Sequence, residues 1–535
     1  MLKSLFTSLF LILNYSIGFS QSIDSFQYDF IQLSDSKKLD FALRKLNTIL
    51  ISSDSSSSEN VNNDFTIVHF GDSHIQGDNF SGEIRQKLQG YFGSTGNGII
   101  FPYSLAKSYG PKGLSASSTG TWSASNILRY DNNIKGLSGF TIQSFDTAAK
   151  IKFLFTEKFK VPSSKTLKIW YGSNSDSTDF YLDDKFTTIY DKKFQDGWGV
   201  RSLSSVENIT GFDLSIRQKN KIPSGFSFFG FELISPNNRG VNYYQCGVVG
   251  AKFSHLINNS ELIISQLNYL MPDLIIFSFG TNEAYGKNID TNKYFDELNS
   301  FISKLNEELP NTAFIITTAP DTRSQGKIPP NQITINDQLI KIAKSQDVSI
   351  FDLNKAMGGW GSLNKWYKNK LVAEDKLHFT AAGYSLQGKL FSMAFLESYN
   401  AKSTNRKLDL SNLRNEILLG IKPVLGKITK PPVVVIEPII EVLIKDEPVK
   451  EELVKEEPIK KEQVIKEPVI KEPVKKEPVK KEKKNNDLPK IYIVKKGDSI
   501  YRIARKYKLD PNKVLRLNKL KEQAIINVGQ KIVLY

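Results

Sequence analysis

Residues 65–74 read Phe-Thr-Ile-Val-His-Phe-Gly-Asp-Ser-His. An apolar run with β-branched residues, closed by a glycine turn, predicts a buried strand. Helical periodicity over 81–91 follows, so the segment reads as a strand–turn–helix unit. In a parallel sheet flanked by helices, ligands meet the protein at the C-terminal ends of the strands. Ser73 is expected at that edge, where its backbone N–H and the following helix N-terminus face an incoming anion. Taken alone, Gly-Asp-Ser is also an ordinary turn.

The same grammar recurs outward from this point. Short apolar strands are expected at 274–279 (LIIFSF), 313–318 (AFIITT) and 348–352 (VSIFD). Between them, Phe295, Leu298, Phe301, Ile302, Leu305 and Leu309 fall on one face of a helix at 291–309. Further helices are expected at 331–346 and at 380–398 after Thr380. Strand and helix alternation predicts an α/β fold with a parallel sheet covered on both faces. Residues 112–238 break the pattern. They are rich in Ser, Thr, Gly, Phe and Tyr, with strand-like runs at 150–155, 166–171, 212–217 and 226–234. This stretch reads as an inserted β-sandwich-like module.

The ends of the chain differ from its middle. Residues 1–20 combine Lys3, an apolar run from Leu5 to Phe19, and small residues at Gly18 and Ser20. That pattern predicts a signal peptide and an exported chain, in the periplasm or at the cell surface, without stable membrane insertion after cleavage. An N-terminal segment with a Ser-rich connector runs over 21–63. After a C-terminal extension from 401, residues 430–489 carry fourteen Lys and fourteen Asp/Glu, and Glu-Pro pairs recur at Pro438, Pro448, Pro458, Pro468, Pro473 and Pro478. Proline at that spacing prevents a continuous helix, and the charges keep the segment solvated. The stretch 401–489 is thus an extension and spacer. A last unit, 490–535, is expected to fold as strand, helix, helix, strand, with Ile493, Ile500, Ile503, Ala504, Val514, Leu515, Leu517, Ile525, Ile532 and Leu534 as its core.

Of 535 residues and a net charge of +15, residues 490–535 account for +9, with twelve Lys/Arg against three acids. Basicity confined to one end suggests weak attraction to anionic polymers, not a nucleic-acid groove, and no nucleic-acid partner is expected. The single cysteine, Cys246, rules out an intramolecular disulfide framework and a Cys-rich zinc site. Neither a metal nor a cofactor is implied.

With only four histidines, each can be weighed as a base. His69 lies in a strand, His74 adjoins Ser73, and His255 has no carboxylate near it in sequence. Asp375-Lys376-Leu377-His378 precedes the last helix. A three-residue spacing in a turn lets the carboxylate accept from one imidazole nitrogen while the other faces a serine. Gly280-Thr281-Asn282-Glu283 ends the strand LIIFSF and offers a side-chain amide to the same place.

These three blocks, in the order Ser, Asn, Asp, His, resemble the SGNH/GDSL hydrolase family over about 64–111 and 239–400. The resemblance implies a three-layer α/β/α, flavodoxin-like domain. It implies Ser73 as nucleophile, His378 as general base and Asp375 as its orienting partner. The N–H of Ser73 and the amide of Asn282 would belong to an oxyanion hole. A glycine N–H would complete it, best matched by Gly250 in Gly247-Val248-Val249-Gly250-Ala251, with Gly247 as the alternative. Glu283 stands where the family usually has Asp, and His74 replaces its common Leu. The aromatics Trp360, Trp366 and Tyr367 could stack on a sugar or pack in the core.

Residues 490–535 resemble a LysM domain, through Tyr492, Val494, Gly497-Asp498-Ser499-Ile500, Ile503-Ala504, Asn518-Lys519-Leu520 and Ile525…Gly529-Gln530. That family binds glycans containing N-acetylglucosamine, peptidoglycan above all. The implied groove involves Gly497, Asp498, Ser499, Ile500, Asn518, Leu520, Ile525 and Ile526. An exported esterase joined to such a module is expected to be a peptidoglycan O-acetylesterase, wall-associated through its glycan partner. The alternatives are a deacetylase of another polysaccharide, a lipid esterase, or an inactive wall-binding protein.

Overall fold

The computed structural model describes residues 32–51, 63–425 and 491–534, short stretches within the last two excepted. The 1–20 segment, the Ser-rich connector, the Glu-Pro spacer and Gly497, Asp498, Ser499 and Ile525 lie outside the described residues. The chain divides into two units, Met1–Val435 and Ile436–Tyr535.

Six parallel strands form the middle of the first unit. Their order is Ser349–Phe351, Ala313–Thr317, Leu274–Ser278, Asn63–Gly71, Arg239–Gly247 and Ser94–Gly96. Alternate side chains of each strand enter opposite layers, as a pleated sheet requires. Phe65, Ile67, Leu274, Ile276 and Ile315 pack on one side, while Val68, Phe70, Ile275, Phe277 and Ile316 pack on the other. A strand buried on both faces reads as a continuous apolar run, which is the form of FTIVHF and LIIFSF.

Helices cover each face. Thr291–Glu308 and Gln332–Ser345 bury Leu298, Ile302, Leu305, Ile335, Leu339 and Ile342 on one side. Asp290 starts the first of these by accepting from the N–H groups of Asn292 and Lys293. Phe80–Phe92 and Ala381–Lys402 cover the other face through Ile84, Leu88, Leu390 and Phe391. Two further helices join that layer. Lys37–Ile51 contributes Leu39, Leu43, Leu46 and Ile49, and Ser411–Leu425 contributes Leu413, Ile417 and Ile421. Both fall in stretches read from sequence as a leading segment and an extension.

The β-rich stretch is less separate from its host than expected. Phe226–Ile234 pairs antiparallel with the edge strand Ser94–Gly96, and Thr166–Ser173, Trp198–Ser205 and Phe186–Lys193 follow in order. The central sheet therefore runs on into the insertion. An unpaired edge leaves backbone groups unsatisfied, and these strands cover it. Among the described residues, Leu114–Thr119, Lys150–Phe155, Gly211–Gln218 and Thr178–Leu182 form a second sheet. It faces the first through Phe153 and Phe212, whose rings stack 4.5 Å apart and contact Phe231.

In the second unit, Ile491–Ile493 pairs antiparallel with Lys531–Val533, beside the helix Pro511–Leu517. Tyr492, Val494, Ile500, Ile503, Ala504, Val514, Leu515, Ile532 and Leu534 form its core. Ile493 and Leu517, expected inside, are exposed, and Tyr492 and Val494 are buried instead. With a side-chain period of two, choosing the wrong face by one residue exchanges every inward side chain of the strand.

Candidate active site

Ser73 is the first residue of a short helix, Ser73–Gln76, that follows directly on the central strand. Asp72 caps this helix by accepting from the N–H of His74. The turn is tight enough to require glycine. A Cβ on Gly71 would lie 2.2 Å from Ile75 Cγ1 and 2.8 Å from the Ser278 carbonyl oxygen. On the neighbouring strand, a Cβ on Gly247 would lie 2.3 Å from the backbone nitrogen of Gln76. Two bare backbones thus let the helix sit on the strand ends.

The turn 372–379 brings its side chains to the same edge from 305 residues away. His378 Nε2 lies 2.9 Å from Ser73 Oγ, and His378 Nδ1 lies 2.6 Å from Asp375 Oδ2. The other carboxylate oxygen, Oδ1, accepts from the N–H groups of Leu377 and His378. Lys376 adopts φ +55° to close the turn. Burial alone would raise the Asp375 carboxyl, but hydrogen bonds from the His378 ring and from these two N–H groups hold it below the usual carboxylate range. The result is a hydroxyl, an imidazole and a carboxylate in line, the arrangement from which a serine can be deprotonated.

The other three histidines are committed elsewhere. His69 is fully buried between Tyr243 Oη and Ser278 Oγ, at 2.7 Å each, and burial pushes it down to about 3. His74 is buried with Nδ1 2.9 Å from Tyr384 Oη; burial, reinforced by His378, pushes it down to about 3. His255 Nδ1 accepts from the N–H of Lys252 and helps cap a helix start.

Around Ser73, the three expected donors differ. The N–H groups of Ser73 and Gly250 have no acceptor among the described residues, as the start of a helix and a residue at φ +78° allow. Gly247 is instead the last residue of a paired strand, in register with Gly71. Asn282 Nδ2 already donates to Asp72 Oδ2 and to the Ala251 carbonyl, both at 3.1 Å. Its amide bridges the serine turn and the Gly250 loop, and it meets an oxyanion only by releasing one of these partners.

Two buried carboxyls stand behind this edge. Burial pushes Asp72 up to about 8; neighbouring Glu283 adds to the effect, and hydrogen bonds from His74 and Asn282 oppose it. Burial likewise holds Glu283 above the usual range. Glu283 accepts from the N–H groups of Phe253 (2.8 Å) and Gly280 (3.0 Å), joining the loops that carry Gly250 and Asn282.

Some expected ligand contacts turn inward. Trp366 is fully buried, with its indole N–H on the Met357 carbonyl, so it is a core residue, while Trp360 is part-exposed. In the second unit Ile500 belongs to the core. The Asn518 amide is spent on Val514 and on both backbone groups of Val533. Leu520 and Ile526 pack part-buried against that core. The sequence reading passed over Gln76 and Tyr109, which stand beside Ser73; nothing local marks a lone Gln or Tyr. Among the described residues no cluster of His, Cys, Asp or Glu could hold a metal ion.

This arrangement can deprotonate a serine hydroxyl, as hydrolysis of an ester by a serine requires. Residues 232–386 match the model of the GDSL-like Lipase/Acylhydrolase family, and residues 492–534 match the LysM domain model. The chain thus carries a GDSL-type acylhydrolase domain and a LysM domain, and its class is carboxylic ester hydrolase. Asn282, Asp375 and His378 fall inside the first match. Ser73 lies outside it and is joined to the others by geometry. No curated protein sequence matches the chain. A solved structure of a peptidoglycan O-acetylesterase, 18% identical, aligns over 69% of this chain and 99% of its own with a TM-score of 0.56, a likeness of fold. A lipase/acylhydrolase from Enterococcus faecalis is 23% identical and aligns over 29% of this chain and 75% of its own, with a TM-score of 0.23. Axe2, an acetylxylan esterase from Geobacillus stearothermophilus, is 19% identical and aligns over 31% and 76%, with a TM-score of 0.25.

Proposed function

We propose that the chain is an exported esterase that removes O-acetyl groups from peptidoglycan and is held on that polymer by its LysM domain. The observation that carries the reading is the 2.9 Å approach of His378 Nε2 to Ser73 Oγ, with Asp375 behind it. In this reading His378 takes the proton as Ser73 Oγ attacks the acetyl carbonyl. The carbonyl oxygen becomes an oxyanion facing the N–H groups of Ser73 and Gly250 and the Asn282 amide. Each free N–H donor is worth ~3 kcal/mol of transition-state stabilisation, and Asn282 contributes the difference between the oxyanion and the partner it releases. The protonated imidazole then gives its proton to the departing sugar oxygen. Water, deprotonated by the same imidazole, attacks the acetyl-enzyme and releases acetate.

Support for the substrate comes from the pairing of domains. A LysM module that holds an N-acetylglucosamine-containing glycan, on the same chain as an esterase, raises the local concentration of ester on that same polymer. The fold likeness to a peptidoglycan O-acetylesterase over 69% of the chain points the same way. The test is acetate release from O-acetylated peptidoglycan against acetylated xylan, for the wild type and Ser73→Ala. Faster release from peptidoglycan, abolished in the variant, is expected. A preference for xylan removes the substrate assignment, and an unaffected Ser73→Ala removes the mechanism.

A further inference from the structure

Gln76 ends the short helix that Ser73 begins, and it is fully buried. Its side-chain amide reaches two segments remote in sequence. Oε1 accepts from the N–H of Val249 at 2.7 Å. Nε2 donates to Ser108 Oγ at 2.7 Å and to the Tyr109 carbonyl oxygen at 2.5 Å. A buried amide satisfied on both its oxygen and its nitrogen is rigid, because losing any of these partners strands a polar group away from water.

The partners are placed where chemistry would feel them. Val249 immediately precedes Gly250. With the Val249 N–H turned onto Gln76, the next N–H, at φ +78°, is left without an acceptor among the described residues. On the other side, the Tyr109 ring is half-exposed, and its Oη lies 3.4 Å from the Ser73 carbonyl oxygen. The loop carrying Gly250 is also held at its two ends, where the Val248 N–H donates to the Gly71 carbonyl and Asn282 Nδ2 donates to the Ala251 carbonyl, and Gln76 holds Val249 between them.

The geometry points to Gln76 as a positioning residue, which aligns the Gly250 N–H with Ser73 and sets Tyr109 as the adjoining wall of the site. The inference rests on the reading of Ser73 as nucleophile. It assigns no contact between Gln76 and substrate. Its effect passes through the two loops, and a small misplacement of a donor is enough to slow catalysis by about 100-fold.

The test compares full-length wild type, Ser73→Ala, Gln76→Met and Gln76→Glu on p-nitrophenyl acetate, with near-UV circular dichroism and Tm measured for each. Gln76→Leu replaces Gln76→Met should the longer side chain fail to fold. The apolar variant is expected to lose on the order of 10- to 100-fold in kcat with KM little changed. Its pH midpoint should stay where the wild type has it, since Asp375 and His378 are untouched. Gln76→Glu keeps an acceptor for the Val249 N–H and should recover part of kcat. A folded apolar variant with wild-type kcat, beside an inactive Ser73→Ala, overturns the inference alone. Equal losses in the Glu and apolar variants that track Tm also overturn it, because they would reflect stability only. An active Ser73→Ala would instead defeat the underlying esterase reading.

Discussion

The imidazole rings of His74 and His378 lie 5.5 Å apart, centroid to centroid, and tilted by 42°. Two such rings beside one serine invite the question of which acts as base. Only His378 presents a nitrogen to Ser73 Oγ and another to a carboxylate. His74 is buried against Tyr384 and kept neutral. His378→Gln should therefore cost about 10³-fold or more in kcat, whereas His74→Gln should stay within about tenfold. Steady-state hydrolysis of a small acetate ester, with folding checked by circular dichroism, decides between them. Equal losses would mean that the rings work as a pair.

Buried titratable groups predict an unusual dependence of stability on pH. His69 and His74 have folded-state values near 3, below the unfolded 6.5. The unfolded chain then binds more protons, so their contribution is lost as pH falls from 6.5 towards 3. Asp72 has a folded-state value of about 8, above its unfolded 3.8, and Glu283 is also raised. Here the folded state binds more protons, so stability falls as pH rises through that window. Each group contributes a slope of about 1.4 kcal/mol per pH unit. Between about 4 and 6.5 the two histidine slopes outweigh that of Asp72, with the raised Glu283 offsetting part of the difference, and above 6.5 the carboxyl side, Asp72 up to about 8, makes stability fall. Denaturant unfolding should show stability highest near pH 6.5, a loss towards pH 4 and a decline towards pH 8. In Asp72→Asn the alkaline decline should disappear. An unchanged decline would mean that Asp72 is not its source.

Glycines separate crowding from conformational strain. At Gly247 an added methyl meets the Gln76 backbone nitrogen at 2.3 Å, and that nitrogen belongs to the helix of Ser73. Gly247→Ala should lower Tm and cut kcat by about tenfold or more, because the helix must move. Gly359 also has positive φ, +77°, but nothing lies within 4 Å of its Cβ position. Gly359→Ala should cost only about 1–2 kcal/mol and leave kcat unchanged. Equal effects on kcat would show that the close approach at Gly247 is not needed for catalysis.

Asn518 is expected to be a structural clamp. Its side chain bonds the N–H and the carbonyl of Val533, at 2.7 Å each, and the Val514 carbonyl at 2.8 Å. Asn518→Ala should destabilise the C-terminal unit by about 1–3 kcal/mol while esterase activity on a small ester stays intact. Glycan binding should weaken in step with the unfolded fraction. Weakened binding at full stability would place Asn518 in contact with the glycan.

Much of this architecture can be read locally. FTIVHF, LIIFSF and AFIITT are strands because unbroken apolar runs suit a sheet buried on both faces, and 291–309 is a helix because its apolar residues repeat every three or four positions. Lys37–Ile51 carries a comparable signal in Leu39, Leu43, Leu46 and Ile49, overlooked beside its polar neighbour. The pairing of Phe226–Ile234 with the sheet edge has no such signature, since any strand with free backbone groups could have filled that place. The same holds for the inward face of Ile491–Ile493, which one residue of register decides.

Residue order and local periodicity determined the alternation of strands and helices, the turn that exposes Ser73, and the short loop pairing Asp375 with His378. Each of these depends on neighbours within a few positions, where turn chemistry and side-chain period act directly. Tertiary structure alone decided that His378 meets Ser73 across 305 residues, that Asn282 is already held by Asp72 and Ala251, and that Gln76 ties two distant loops to one helix. Such contacts arise from packing the layers together, and a polar side chain carries no local mark of the partner that burial will force upon it.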